Sequence, residues 1–304
     1  MNTNKLLPLM RREWLQHRFG WLLLAVLPLL LALVLTSIGQ VDLGEDAVAH
    51  MGDALPAIVA MGSIAGMTAL LCVVYAISSL IIVSGLARRD HGDRSVEFWL
   101  SLPTSHTQSL AAPLLVHLLL VPAAGLLVGL LGGYAVSLVL VSRVGGAGAW
   151  LALPWGDIVA ASLALALRLL VGLPLALLWL SPLILLVVLL TAWFRRWGWV
   201  ILAVGLGLGS WLLKMVFGSP LLSQVINGWL RHGAQAMVHA GSFQVGNSDQ
   251  GLDALRQMPT WAFRDFGLAV RDLASPLLLV GLLLAAACFA LLVQWRQRGA
   301  GAGG

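Results

Sequence analysis

Charge is what this chain has least of. Only 10% of its 304 residues are Asp, Glu, Lys or Arg, and lysine occurs only at Lys5 and Lys214. A soluble domain carries about 25% charge, so there is too little polar surface to keep a folded body in water. The lack of lysine also excludes one chemistry. A phosphate-cradling G-x-x-x-x-G-K-[ST] loop needs a lysine that follows glycine, and neither lysine does. ATP hydrolysis through a P-loop is therefore not expected of this chain. There is no H-E-x-x-H and no G-x-S-x-G, which removes the usual marks of zinc and serine hydrolysis. The two cysteines, Cys72 and Cys288, sit in apolar blocks without pairing or metal spacing and read as small helix residues. A formal charge of +5 does not indicate a nucleic-acid partner, because the basic residues flank apolar blocks and form no continuous stripe.

What the chain has is hydrocarbon. Hydrophobic residues make up 60% of it and mean hydropathy is +0.93. They fall in six blocks: Trp21–Ile38, Ala57–Leu86, about Ala111 to Val141, a stretch within Ile158–Phe194, Trp197–Phe217 and Pro276–Trp295. Each supplies the roughly 20 apolar residues that a ~30 Å hydrocarbon core requires. Backbone groups cannot stay unpaired in lipid, so these blocks are predicted to be helices. The expectation is an all-α, polytopic protein with six transmembrane helices in a lipid bilayer, one membrane domain over residues 1–304. Pro28, Pro122, Pro174 and Pro182 fall inside the blocks and should kink them.

Basic residues set the orientation. With the N-terminus inside, inner segments hold Lys5, Arg11, Arg12, Arg18, Arg88, Arg89, Arg94, Arg195, Arg196, Arg296 and Arg298, whereas outer loops hold Arg143, Arg231, Arg256, Arg264 and Arg271. The positive-inside rule then predicts both termini inside. Residues 1–20 form a basic inner segment, 87–110 an inner loop and 218–275 a long outer loop. Trp21, Trp193, Trp197 and Trp295 are expected at the inner interface, and Trp150 and Trp155 at the outer. Arg168 and Lys214, near the outer ends of their blocks, are expected to snorkel to the interface as anchors. Trp14 joins them if Leu7, Met10 and Trp14 form one face of an interfacial helix.

No Asp or Glu lies within the six blocks. Ion-coupled carriers usually place acids there, so a secondary carrier becomes a weaker alternative, as does an intramembrane enzyme. His117 is the one histidine well inside a block and reads as a polar helix-packing residue. Met237, His239 and Met258 lack the tight spacing of a soft metal site. Gly62-x-x-x-Gly66 and Gly205-x-x-x-Gly209 would let helices approach closely.

The inner loop is the most informative stretch. Asp93 can cap a short helix at about Arg94–Ser101 that Pro103 stops, and Ser105 with Gln108 matches a capping box for the third span. That helix carries Val96, Phe98, Trp99 and Leu100, which either rest in headgroups or fill a groove on a partner. The run Arg88-Arg89-Asp90, Asp93-Arg94-Ser95 and Glu97-Phe98-Trp99-Leu100-Ser101-Leu102-Pro103 resembles the inner-loop signature of type-2 ATP-binding-cassette exporter permeases. The stretch from Met10 to Arg18 resembles their N-terminal segment, and the long loop between the fifth and sixth spans fits as well. The resemblance implies a permease subunit in a bacterial cytoplasmic membrane, not itself an enzyme and holding no cofactor. ATP and magnesium would be bound by a separate P-loop ATPase subunit, and a second permease copy or homologue would complete the path. By the same resemblance Glu97, Phe98, Trp99, Leu100 and Pro103 would couple to the ATPase, with Arg88, Arg89 and Asp90 flanking them. The helix-forming patches of the outer loop, Leu221–Trp229 and Phe266–Leu273, would be re-entrant gating helices or would lie flat on the membrane. An apolar or amphiphilic cargo suits walls without acids.

Overall fold

Long apolar runs with no competing polar side chains leave the backbone one way to satisfy its own N–H and C=O groups, by helix. The computed structural model describes residues 6–39, 52–92, 106–239, 241–242 and 251–301, and every regular element among them is helical. In chain order these are α1 (Leu6–Ile38), α2 (Leu55–Gly92), α3 (His106–Leu115), a π-helical turn (Val116–Leu120), α4 (Val121–Gly145), and the short α5 (Ala147–Leu151). They continue with α6 (Trp155–Phe194), α7 (Gly198–Phe217), α8 (Leu221–Met237), α9 (Gly251–Asp272) and α10 (Pro276–Gly301).

Five helical stretches are long and apolar enough to cross a membrane: Leu7–Ile38, Leu55–Leu86, Thr107–Gly145, Trp155–Phe217 and Pro276–Trp295. The chain is a helical membrane protein of the multi-pass kind. The fourth stretch covers 63 residues. A 3-10 turn at Arg195–Trp197 breaks it into α6 and α7, and Arg195 there has φ +54°. Gly198 is needed just beyond, since a Cβ at that position would lie 2.6 Å from the Thr191 amide nitrogen. From Leu6 on, the N-terminal basic segment is not a separate helix but the first part of α1, which runs unbroken through Pro28.

The most extensive pairing among the described helices is α2 with α4, and glycine explains it. A Cβ on Gly125 would come 2.9 Å from the Tyr75 ring, one on Gly129 2.7 Å from Thr68 Cα, and one on Gly133 2.6 Å from Ile64 Cα. Glycines four residues apart on α4 thus bring two backbones into contact. Gly62 and Gly66, which the sequence suggested for this role, meet nothing within 4 Å.

α6 is the common support of the rest, packing against α2, α7, α8, α9 and α10. Two clusters mark its ends. At one, Val83 and Leu86 of α2, Leu110 of α3, Val188 and Ala192 of α6 and Leu292 of α10 pack together. The end of α2 at Gly92, the Arg195–Arg196 turn and the end of α10 therefore share one end of the bundle, which is rich in arginine. At the other, Ala57 and Met61 pack with Leu153, Ile158, Leu255 and Met258.

Candidate functional site

The helices bring together two buried polar clusters, one toward each end, and both depend on acids from outside the apolar blocks. The first lies against the arginine-rich end. Glu13, His17, Trp21 and Ala25 recur every four residues on α1 and so share a face. Glu13, Trp21 and Ala25 are buried and His17 is half-buried. Opposite them stands His117, wholly buried in the π turn. Pro122 stands one residue beyond the turn; it has no N–H to offer the carbonyl four residues back, that of Leu118 within the turn, and its ring clashes there, which accounts for the widened turn. The consequence is that Val116 and His117, adjacent in sequence, are both buried. His117 Nε2 lies 3.3 Å from Glu13 Oε2, with the two side chains 0% and 4% exposed. The His17 ring meets His117 edge-on at 5.1 Å. Trp21 stacks on Tyr75 at 5.6 Å, and the Tyr75 hydroxyl donates to the Trp21 carbonyl at 2.7 Å. Trp21 is thus a core residue and not the interface residue that its place before the first block suggested. His117 Nδ1 is buried without a hydrogen-bond partner.

The second cluster corrects the expectation for Arg168. Its side chain does not snorkel; it is wholly buried, as is that of its partner Asp265 on α9. Nε donates to Asp265 Oδ2 at 2.7 Å, and Nη2 lies 2.7 Å from the same oxygen. Nη1 donates to the carbonyl of Ala236 at 2.8 Å, in the last turn of α8, where carbonyls lack helical partners and the helix dipole favours a cation. The His239 amide donates to Asp265 Oδ1 at 3.2 Å. Gly172 permits this meeting of three segments, because a Cβ there would fall 2.7 Å from the Ala236 oxygen and 3.0 Å from Arg168 Nη1. The snorkelling expectation failed because the partner lies 97 residues further on, in a segment assigned to the outer loop.

Beside this pair, Asp272 Oδ2 lies 3.4 Å from His232 Nδ1 and 3.5 Å from His239 Nε2, and His232 stacks on the buried Trp179 at 4.3 Å. His239 is thus engaged with Asp272, and Met237 and Met258 pack in different clusters, so the three residues do not converge. Lys214 is exposed in the last turn of α7 and Trp14 is exposed on α1. Arg88, Arg89 and Asp90 belong to α2, which continues helical to Gly92. Glu97, Phe98, Trp99, Leu100 and Pro103 lie outside the described residues.

Neither cluster resembles a hydrolytic centre. The Arg168–Asp265 pair is enclosed by protein groups, with Arg168 Nη2 held by the ion-pair contact alone. The Glu13–His17–His117 cluster joins a carboxylate to two imidazoles and still leaves a ring nitrogen unanswered. Compared with known proteins, this helical membrane chain matches no family model, no curated protein and no solved structure.

Proposed function

We propose that the chain is the membrane-spanning permease subunit of an ATP-driven exporter of the type-2 ATP-binding-cassette class, resident in a bacterial cytoplasmic membrane. It crosses the bilayer six times with both termini on the cytoplasmic side. It pairs with a second permease and rests on a separate P-loop ATPase subunit that binds ATP and magnesium. The observation that carries this reading is the course of α2. It leaves its apolar part and continues as helix to Gly92, taking Arg88-Arg89-Asp90 to the arginine-rich end. The break at Arg195–Trp197 supports two spans where the apolar stretch is continuous, and gathering of the arginine-bearing turns at one end supports the orientation.

The outer helices support a re-entrant gate better than a pair lying flat. Trp229 of α8 is buried with Ala176 and Trp179 near the middle of α6 and donates to the Leu277 carbonyl at 3.2 Å. Gly228, Gly233 and Gly281 make room for Leu277, Leu180 and the Trp229 ring. An apolar or amphiphilic cargo remains the best match, since Asp265 is neutralised by Arg168 and Glu13 faces His117. The buried Glu13–His117 pair is what a proton-coupled carrier would use, and dissipating the proton gradient with ATP present separates that alternative from export.

The test is assembly with a P-loop ATPase subunit, to be sought in the reading frames that neighbour this one. Aromatic anchors seated in a partner's groove cost about 2 kcal/mol or more on truncation, roughly thirtyfold in affinity. Phe98→Ala with Trp99→Ala should therefore lose the ATPase on co-purification while the permease keeps its thermal stability. Undiminished assembly and transport by the double variant would refute the coupling role.

A further inference from the structure

The geometry points to a binding site for a divalent transition metal of the zinc class, held by Glu13, His17 and His117. It stands whether or not the chain is an export permease, since it rests on three side chains and their surroundings.

Each of the three offers a ligand atom, and those atoms lie within 4.8 Å of one another. Zinc bonds to histidine nitrogen and carboxylate oxygen at about 2.0–2.2 Å in a tetrahedron, which sets neighbouring ligand atoms about 3.3–3.5 Å apart. His117 Nε2 and Glu13 Oε2 already stand 3.3 Å apart, the length of one tetrahedral edge. Glu13 and His17 are four residues apart on α1, so one helical face projects both toward the same point. His117 closes the set from the π turn, a helical irregularity that recurs at functional sites.

The donor set selects the metal. Two imidazoles and one carboxylate suit zinc and its neighbours, whereas magnesium and calcium require mostly oxygen. Three protein ligands leave a fourth position for water or an outside ligand, as in open zinc sites. The surroundings are dry: Trp21, Tyr75, Val116 and Val121 are all buried around the cluster. A bare Glu13–His117 pair accounts for two of the three side chains, and the His17 ring stands edge-on to His117 at 5.1 Å beside them. A bound ion would also fasten α1, whose most apolar 18-residue window has only 11% of its positions buried, to the turn between α3 and α4.

The decisive experiment uses the full-length protein in nanodiscs, without a polyhistidine tag, stripped by chelator and titrated with zinc. One equivalent should bind, and absorption spectroscopy at the zinc edge of the wild-type protein should read a first shell containing two imidazoles. Glu13→Gln, His117→Gln and His17→Ala should each weaken binding by more than the 10–100-fold that loss of an outer-shell partner costs. His17→Ala guards against misfolding as an explanation, because His17 is half-buried and alanine is the best helix former. His232→Ala and His239→Ala should leave affinity unchanged. An all-oxygen shell, zinc affinity equal to that of a variant carrying Glu13→Gln, His17→Ala and His117→Gln together, or equal losses from His232→Ala and His17→Ala would overturn the site.

Discussion

The two buried polar clusters hold their side chains together in different ways. Arg168 brings a guanidinium, which cannot lose its proton in a protein, against the Asp265 carboxyl group. The Ala236 carbonyl and the His239 amide add hydrogen bonds to the two, and Arg168 Nη2 has the ion-pair contact alone. Glu13 faces an imidazole, which is a donor, an acceptor or a metal ligand according to circumstance, and whose second nitrogen has no partner. That cluster has several states. The Arg168–Asp265 pair fastens α8 and α9 to α6, and the Glu13–His117 cluster joins the thinly packed α1 to the turn before α4. Rigidity is built where α8 and α9 must stay on the bundle, and chemical latitude where the N-terminal helix meets it.

The largest expected effect comes from breaking the Arg168–Asp265 pair. Removing one partner of a buried ion pair costs about 3–5 kcal/mol, whereas replacing both with apolar residues of similar size is often neutral. Arg168→Leu and Asp265→Leu should each lower the midpoint of denaturation in detergent steeply, and the double variant should recover most of the loss. If the double variant were as unstable as the singles, the pair would owe its importance to the Ala236 and His239 contacts instead. A smaller loss, about 1–3 kcal/mol, should follow Glu13→Gln in chelator-treated protein. The difference should widen with zinc present, because only the wild type gains from the ligand, by about 2.7 kcal/mol at a hundredfold excess over Kd. The smallest effect belongs to Arg256, which bridges Asp157 at 3.0 Å with its side chain 61% exposed. Arg256→Ala should change stability by less than about 1 kcal/mol. A loss as large as that of Arg168→Leu would mean that burial does not separate these pairs.

The apolar blocks were legible in the sequence because length and hydropathy alone decide them. The helices at Leu221–Met237 and Gly251–Asp272 were legible in part, through their amphipathic spacing. The clusters were not, since each joins residues about a hundred positions apart: 104 for Glu13 and His117, 97 for Arg168 and Asp265. A local signal did exist. Asp265 falls on one stripe of α9 with Leu255, Met258, Ala262 and Ala269, all buried at alternating spacings of three and four. Arg168 likewise shares a stripe of α6 with Ala161, Gly172, Ala176 and Trp179, and all of these are buried. A charge on an apolar stripe is expensive unless it is paired, so each predicts a partner of opposite sign. Treating Arg168 as a snorkelling anchor looked along the helix when the answer lay across it. The glycines of α4 were overlooked for a related reason. A small residue every four positions shows that a helix can be approached closely, but not which of several such stripes is used.

The length of α6 has a mechanical consequence. Forty residues at 1.5 Å per residue make a rod about 60 Å long, twice the thickness of a bilayer's hydrocarbon core. One tip carries the Arg195–Trp197 turn; α8 clasps its middle and α9 its far half. For a lever of this length, a tilt of about 5° at one tip sweeps the other through about 5 Å. Pro174 and Pro182 lie within the rod between the two tips, each removing a hydrogen bond from the ladder. The rod is continuous but has its weakest hydrogen bonding near the centre, beside the Trp229 contact, where a load on either tip would concentrate bending.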